Sequence, residues 1–170
     1  MKITGDAAAP AARRGWRAFA LDVRPDCDNQ MRLEFVSRPA NVEFARAAVA
    51  SFAAQLPFTL DELEEIRIAV SEAVTNAVVH GYENGPGVIA VEARLRGGRL
   101  ELEVTDTGRG IQDVAWAMQP THTTDPGERM GLGLVFIAQF MEDVGVESLP
   151  GRGTRVRMAK SPGTGSTPPQ

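Results

Sequence analysis

From Arg32 to Ser37 the chain alternates as RLEFVS, the period of a strand with one buried face. Pro39 then opens a stretch in which Phe44, Ala47, Ala48, Phe52 and Leu56 recur at helical spacing. A longer periodic run, Leu60 to His80, follows Thr59 and Glu62, which stand three apart as in a capping box. Gly81, the Asn84-Gly85 pair and Pro86-Gly87 stop it. Val88 to Arg96 and Leu100 to Thr105 alternate with β-branched residues, and Gly97-Gly98 between them predicts a hairpin with a tight primed turn. Pro120 to Met130 holds turn formers without periodicity and reads as a loop, after which Gly131 to Met141 resembles a helix opened by glycines. Val144 to Ser148 and Thr154 to Lys160 read as two last strands around Pro150, Gly151 and Gly153. The economical assembly is an α/β two-layer sandwich (α+β), a mixed, mainly antiparallel sheet with helices on one face.

The ends differ from this middle. Residues 1–30 mix Ala, Pro, Arg, Gly and Asp with little periodicity and are expected to be a flexible N-terminal extension; 161–170, SPGTGSTPPQ, is expected to be a disordered tail. That leaves 31–160 as one domain, in keeping with a chain of 170 residues. A formal charge of -4 gives no basic footprint for direct nucleic-acid binding. With Cys27 as the one cysteine and only His80 and His122 as histidines, neither an internal disulfide nor a zinc cluster can be assembled, which fits a reducing cytoplasm. The apolar runs fall short of the roughly 20 residues of a membrane span, and the opening MKITGDAAAPAARRG lacks a secretory core.

Candidate chemistry gathers in four places. On the second helix Leu63, Ile66, Val70, Ala73, Val74 and Ala77 make the apolar stripe that should face the sheet. Glu72 and Asn76, four apart, project together on the far side, yet Ile68, Ala69 and Val79 share it. The pair is either a surface Glu and Asn at helical spacing or a site covered by ligand. In the second case the amide oxygen suits a hard cation such as Mg²⁺ and the carboxylate a proton or metal-bound water. Next, at the end of LELEV, comes Asp106-Thr107-Gly108-Arg109-Gly110-Ile111. Glycines two apart let backbone approach a flat ligand, and the acceptor-only carboxylate can take a hydrogen bond from an exocyclic amine; a plain strand-ending turn is the alternative. Third is Arg129-Met130-Gly131-Leu132-Gly133-Leu134, glycines running into a helix start whose free N–H groups favour phosphate, or an ordinary helix-start loop. Arg129 offers a planar fork for a terminal phosphate, unless it is a solvated loop residue. Fourth is Gly151-Arg152-Gly153-Thr154, by itself a hairpin turn. No GxxxxGK run followed by Ser or Thr is present, nor the HRD and DFG pair of protein kinases, so a phosphate site must be of another kind.

Taken in order, these blocks resemble the four boxes of the Bergerat (GHKL, histidine-kinase-like) ATP-binding fold shared by histidine kinases and gyrase. Within it, SEAVTNAVVHGYENG (Ser71 to Gly85), QPTHTTDPGERMGLGL (Gln119 to Leu134) and EFARAAVASFAAQL (Glu43 to Leu56) are similar to the anti-sigma-F serine kinases of endospore-forming bacteria. The resemblance covers about 31–160. It implies a serine/threonine-protein kinase using ATP and Mg²⁺, acting as a homodimer that sequesters a sporulation sigma factor and phosphorylates a serine of its anti-anti-sigma antagonist. It further implies that Asn76 holds Mg²⁺, that Glu72 is general base or positions the nucleophile, and that Asp106 binds the adenine amine. Gly110, with Gly108 and Ile111 in the same turn, would lie beneath the ring, with Thr154 supporting the Asp106 contact. The Gly131-Leu132-Gly133 turn would offer phosphate amides, Arg129 would reach the γ-phosphate, and Glu43 and Arg46 match partner-docking positions. His80 is either part of this site or a buried, satisfied histidine. The chain departs from the family at His122, where an aromatic residue is usual, and at Met130, which replaces a small one. Related possibilities are a general-stress anti-sigma kinase, a nucleotide-gated sequestering module without kinase activity, and the detached ATP domain of a histidine kinase, which the lack of a phospho-acceptor hairpin disfavours.

Overall fold

The computed structural model describes residues 24–114 and 130–163. Among them, five strands form one antiparallel sheet: β1 (Asn29–Val36), β2 (Val88–Arg96), β3 (Arg99–Asp106), β4 (Glu142–Leu149) and β5 (Gly153–Lys160), in the order β1-β2-β3-β5-β4. Helices α1 (Ala40–Ala53), α2 (Leu60–Asn76) and α3 (Met130–Phe140) complete an α+β fold. All the described strand pairs are antiparallel, so the sheet is not mixed.

Alternation along the strands decides which side the helices cover. Ile89, Val91, Ala93 and Leu95 of β2, Leu100, Leu102 and Val104 of β3, and Val156 and Met158 of β5 are buried on one face. Charged residues stand between them on the other face: Arg32 pairs with Glu92, Arg155 with Glu103 and Arg157 with Glu147 across strands, and Arg94 pairs with Glu92 along β2. Between β2 and β3, Gly97 and Gly98 both have positive φ, 55° and 78°, as a primed two-residue turn demands.

Helix α2 starts where the capping box places it. The Thr59 hydroxyl accepts from the Glu62 N–H at 3.2 Å, and the Glu62 carboxylate accepts from the Thr59 N–H at 2.7 Å. Ile66, Val70 and Val74 are fully buried, each contributing about 1.5–3 kcal/mol by leaving water. The helix packs between α1, whose Ala45, Val49 and Ala53 are buried against the core, and α3. The side bearing Glu72 and Asn76 is therefore covered in part by α3, not by ligand alone, and Ala69 on that side is buried. At its far end, Ala77–Gly81 forms a π-helical turn where sequence predicted regular helix to His80.

The boundaries shift outward from those read in the sequence. Asn29 and Gln30 belong to β1, opposite Leu95 and Arg94, and Asp28 donates its N–H to Leu95 at 2.8 Å. The extension assigned to 1–30 thus gives way to ordered chain before residue 31, because main-chain pairing needs no hydrophobic pattern. At the other end Ser161 bonds Glu142, and the Gly163 N–H donates to Glu62 at 2.7 Å, so the first residues of the expected tail are held. No helix among the described residues is long and apolar enough to cross a membrane.

Candidate functional site

The site grows from the end of α2. Beyond Asn76 the π turn closes with the Tyr82 N–H donating to the Ala77 carbonyl at 3.0 Å, one residue further back than in an α-helix. The wider turn carries His80 and Gly81 to the end of β3, where the Gly81 carbonyl accepts from the Arg109 N–H at 2.9 Å. A Cβ on Gly81 would sit 3.0 Å from the Asp106 carboxylate oxygen, and one on Gly108 would overlap the Gly81 carbonyl. Asp106, the last residue of β3, is only 6% exposed, and its carboxylate accepts from the Gly108 N–H at 2.9 Å. Burial pushes this carboxyl above its ordinary value, against the opposing pull of the Gly108 and Thr154 backbone N–H groups.

On the other side β5 begins at Gly153, whose φ of 96° and contact with the Asp106 carbonyl leave no room for a side chain. Thr154 lies opposite Asp106 in the ladder. Ser148 of β4 ties the two turns together: its hydroxyl accepts from the Ile111 N–H at 2.8 Å, donates to the Gly153 carbonyl at 2.9 Å and lies 2.9 Å from the Thr154 hydroxyl. Gly110, at φ 73°, closes against the Leu149 carbonyl.

These elements enclose a cavity of about 490 Å³. Ala73, Ala77, Val104, Leu134 and Val156 give it apolar walls, and Asn76, His80, Asp106, Arg109 and Thr154 bring polar groups to it. Burial, reinforced by the nearby Arg109 charge, lowers the His80 imidazole below its ordinary value, which keeps it neutral at pH 7. A slot with apolar walls and one buried acceptor suits a flat heteroaromatic ring carrying an amine.

Beyond the slot, Glu72 and Asn76 face the first turns of α3. A Cβ on Gly133 would lie 2.8 Å from a Glu72 carboxylate oxygen and 3.2 to 3.3 Å from the Asn76 amide atoms. Gly131 and Leu132 fall in the first turn of the same helix, whose N–H groups are the natural anion donors. The pairing of one amide oxygen with a helix start fits a magnesium ion that keeps most of its coordination in water and phosphate. No cluster of three or more His, Cys, Asp or Glu side chains among the described residues offers a cation a protein cage.

Asn76, Asp106, Gly110, Ile111 and Thr154 thus line one cavity, with Gly108 backing it and Glu72 one helical turn away, against Gly133. Glu43 and Arg46 do not reach it; they pair with each other on the exposed side of α1. Arg129 and His122 lie outside the described residues. Ser148, Tyr82 and the π turn escaped the sequence reading. The strand containing Ser148 carries no local mark of its bonds to Ile111, Gly153 and Thr154, and AVVHG does not distinguish a π from an α turn.

Comparison with known proteins agrees with this geometry. Residues 35–160 match the histidine kinase-like ATPase domain. The chain is 50% identical over 133 residues to an anti-sigma F factor of a Thermoanaerobacter species, covering 78% of this chain and 93% of that protein. It is 48% and 45% identical over 134 residues to the anti-sigma F factors of Clostridium kluyveri and Clostridium acetobutylicum, covering 78% of this chain and 94% of each. The chain belongs to the anti-sigma F factor family and carries a histidine kinase-like ATPase domain.

Proposed function

We propose that this protein is a cytoplasmic anti-sigma factor that sequesters a sporulation sigma factor of the sigma-F type and, with Mg-ATP, phosphorylates a serine of an anti-anti-sigma antagonist. The observation that carries the nucleotide part is the buried Asp106 carboxylate at the end of an apolar slot that leads to Asn76. The partners come from the family. Asp106 would accept from the adenine amine, with Gly108, Gly110 and Ile111 shaping the slot and Thr154 supporting the carboxylate. Asn76 would help hold Mg²⁺, which, when bound, neutralises phosphate charge. The α3 start, with Gly131, Leu132 and Gly133, would donate to the phosphates, and Arg129 would reach the γ-phosphate.

Glu72 would take the proton of the antagonist's serine hydroxyl as its oxygen bonds to the γ-phosphorus and the bond to the β–γ bridging oxygen breaks, leaving ADP. Such transfer needs positioning and charge neutralisation more than covalent help from the protein. The product carries about -1.5 to -2 added charges, and repulsion from acidic groups would release it. A homodimer would present Glu43 and Arg46 of α1 to the sigma factor. Their mutual ion pair, between residues 69% and 40% exposed, is weak enough to exchange for a partner's charges.

The test is transfer of labelled phosphate from ATP to a serine-bearing antagonist, alongside capture of the sigma factor. Glu72→Gln should keep ATP binding and lose transfer by about 100-fold or more, Asn76→Ala should lose metal-dependent ATP binding, and Arg46→Ala should weaken capture alone. Transfer by Glu72→Gln at the wild-type rate removes the base assignment. ATP binding without any transfer by the wild type leaves a nucleotide-gated sequestering module.

A further inference from the structure

The hydroxyl of Tyr82 lies outside the cavity, yet it joins two segments that line the cavity, the π turn and the turn after β3, to the start of β2. It donates to the Val88 carbonyl at 2.6 Å, accepts from the Thr107 N–H at 2.9 Å, and lies 3.1 Å from the Thr107 hydroxyl. Tyr82 follows the π turn, Val88 is the first residue of β2, and Thr107 stands between Asp106 and Gly108. The ring crosses Gly87 so closely that a Cβ there would overlap three ring carbons. Its body packs against the hydrophobic core, which fixes where the hydroxyl points.

This arrangement bears on Asp106. The two residues directly after it each give their backbone N–H a partner: the Gly108 N–H turns back onto the Asp106 carboxylate, and the Thr107 N–H goes to the phenol. A phenol can donate and accept at once, so it joins the carbonyl of β2 to the amide of the turn, which phenylalanine cannot do. A binding group is only as well placed as the groups that hold it.

We propose that Tyr82 is a positioning residue for purine recognition: its hydroxyl braces the Asp106-Thr107-Gly108 turn against β2 and so fixes the Asp106 carboxylate that reads the base. The proposal rests on the cavity being the adenine slot. A fixed carboxylate accepts from the amine of adenine and repels the carbonyl oxygen that guanine presents at the same position. When the brace is removed, water satisfies the exposed Thr107 N–H and the chain stays folded. The carboxylate can then retreat, and discrimination between the two bases falls.

The experiment is calorimetric titration of the full-length wild type, Tyr82→Phe and Gly87→Ala with ATP, ADP and GTP, each in Mg²⁺, together with steady-state transfer kinetics. Tyr82→Phe should weaken ATP and ADP alike by about tenfold, the worth of one good hydrogen bond. GTP should weaken much less, so that the ratio of GTP to ATP dissociation constants narrows, and the kinetic loss should appear in KM for ATP and not in kcat. Gly87→Ala, by displacing the ring, should move the ratio in the same direction. Unchanged ATP affinity in Tyr82→Phe, or an equal loss for ATP and GTP, overturns the positioning role. A wild type that binds no ATP overturns the adenine-slot reading, and this proposal with it; a failure confined to the variants' purine ratio overturns Tyr82 alone.

Discussion

At the Asp106 end of the cavity the walls are peptide backbone. A Cβ on Gly108 would overlap the Gly81 carbonyl, one on Gly110 the Leu149 carbonyl, and one on Gly153 the Asp106 carbonyl. At the α3 end, the close approach is between Gly133 and the side-chain tips of Glu72 and Asn76, at 2.8 to 3.3 Å. Carbonyls fixed in a β ladder or a hydrogen-bonded turn cannot step aside, whereas a carboxylate or amide at the end of a side chain can swing about its rotatable bonds. One end is a rigid template and the other an adjustable one. That division suits a site where the base is read by shape and the reacting phosphate is approached by groups that must reorient.

The largest effect expected from this contrast is at Gly153. Gly153→Ala meets a positive φ of 96° and an immovable carbonyl together, and should cost about 3 kcal/mol or more in denaturant unfolding and abolish ATP binding. Gly133→Ala should cost only about 1 kcal/mol, because Glu72 can turn away. Its harm should appear in catalysis, as a drop of about tenfold or more in phosphate transfer with ADP affinity within about threefold. If the two substitutions lower stability equally, the distinction between the ends fails.

The smallest effect concerns the price of keeping a carboxylate at the rigid end. Burial raises the Asp106 carboxyl above the 3.8 of the free group, so the folded protein holds that proton at pH values where the unfolded chain has released it. Asp106 therefore lowers stability as pH rises from 3.8 through its raised value, and the deficit persists at neutral pH. Asp106→Asn should raise the melting temperature of the nucleotide-free protein at pH 7 by at most roughly a few degrees, with no gain below pH 3.8, while ATP binding is lost. A variant less stable than wild type at pH 7 would show that the carboxylate's hydrogen bonds outweigh its burial.

The parts legible in the sequence were those written locally. The Glu72 and Asn76 spacing, the glycines after Asp106 and the Thr59 capping box each lie within a few residues of chain, and each has a stereochemical reason that needs no tertiary context. What stayed hidden depends on partners far along the chain. Ser148 gains its three bonds only when β4 comes alongside β5, and Asn29 and Gln30 become strand through main-chain pairing with β2. The start of β4 was also missed. The strand read from Val144 begins at Glu142, where an irregular register between Glu142 and Gly145 hides the strand period, with Arg99 holding both Glu142 and Asp143. The cover that α3 gives to the polar side of α2 could not be seen either, since periodicity reports that a face is apolar but not what lies on it.

Glu62 grips the chain at two places far apart in sequence, the Thr59 N–H and the Gly163 N–H, both at 2.7 Å. These bonds, the one from Thr59 foremost, hold its carboxyl below the ordinary range, so their contribution is present above about pH 4.5 and fades as acid protonates the group. A tag or cleavage site placed directly after Lys160 would take away one of those two handholds and disturb the root of the helix whose tip carries Asn76. Placed beyond Gly163, the same addition leaves that knot tied.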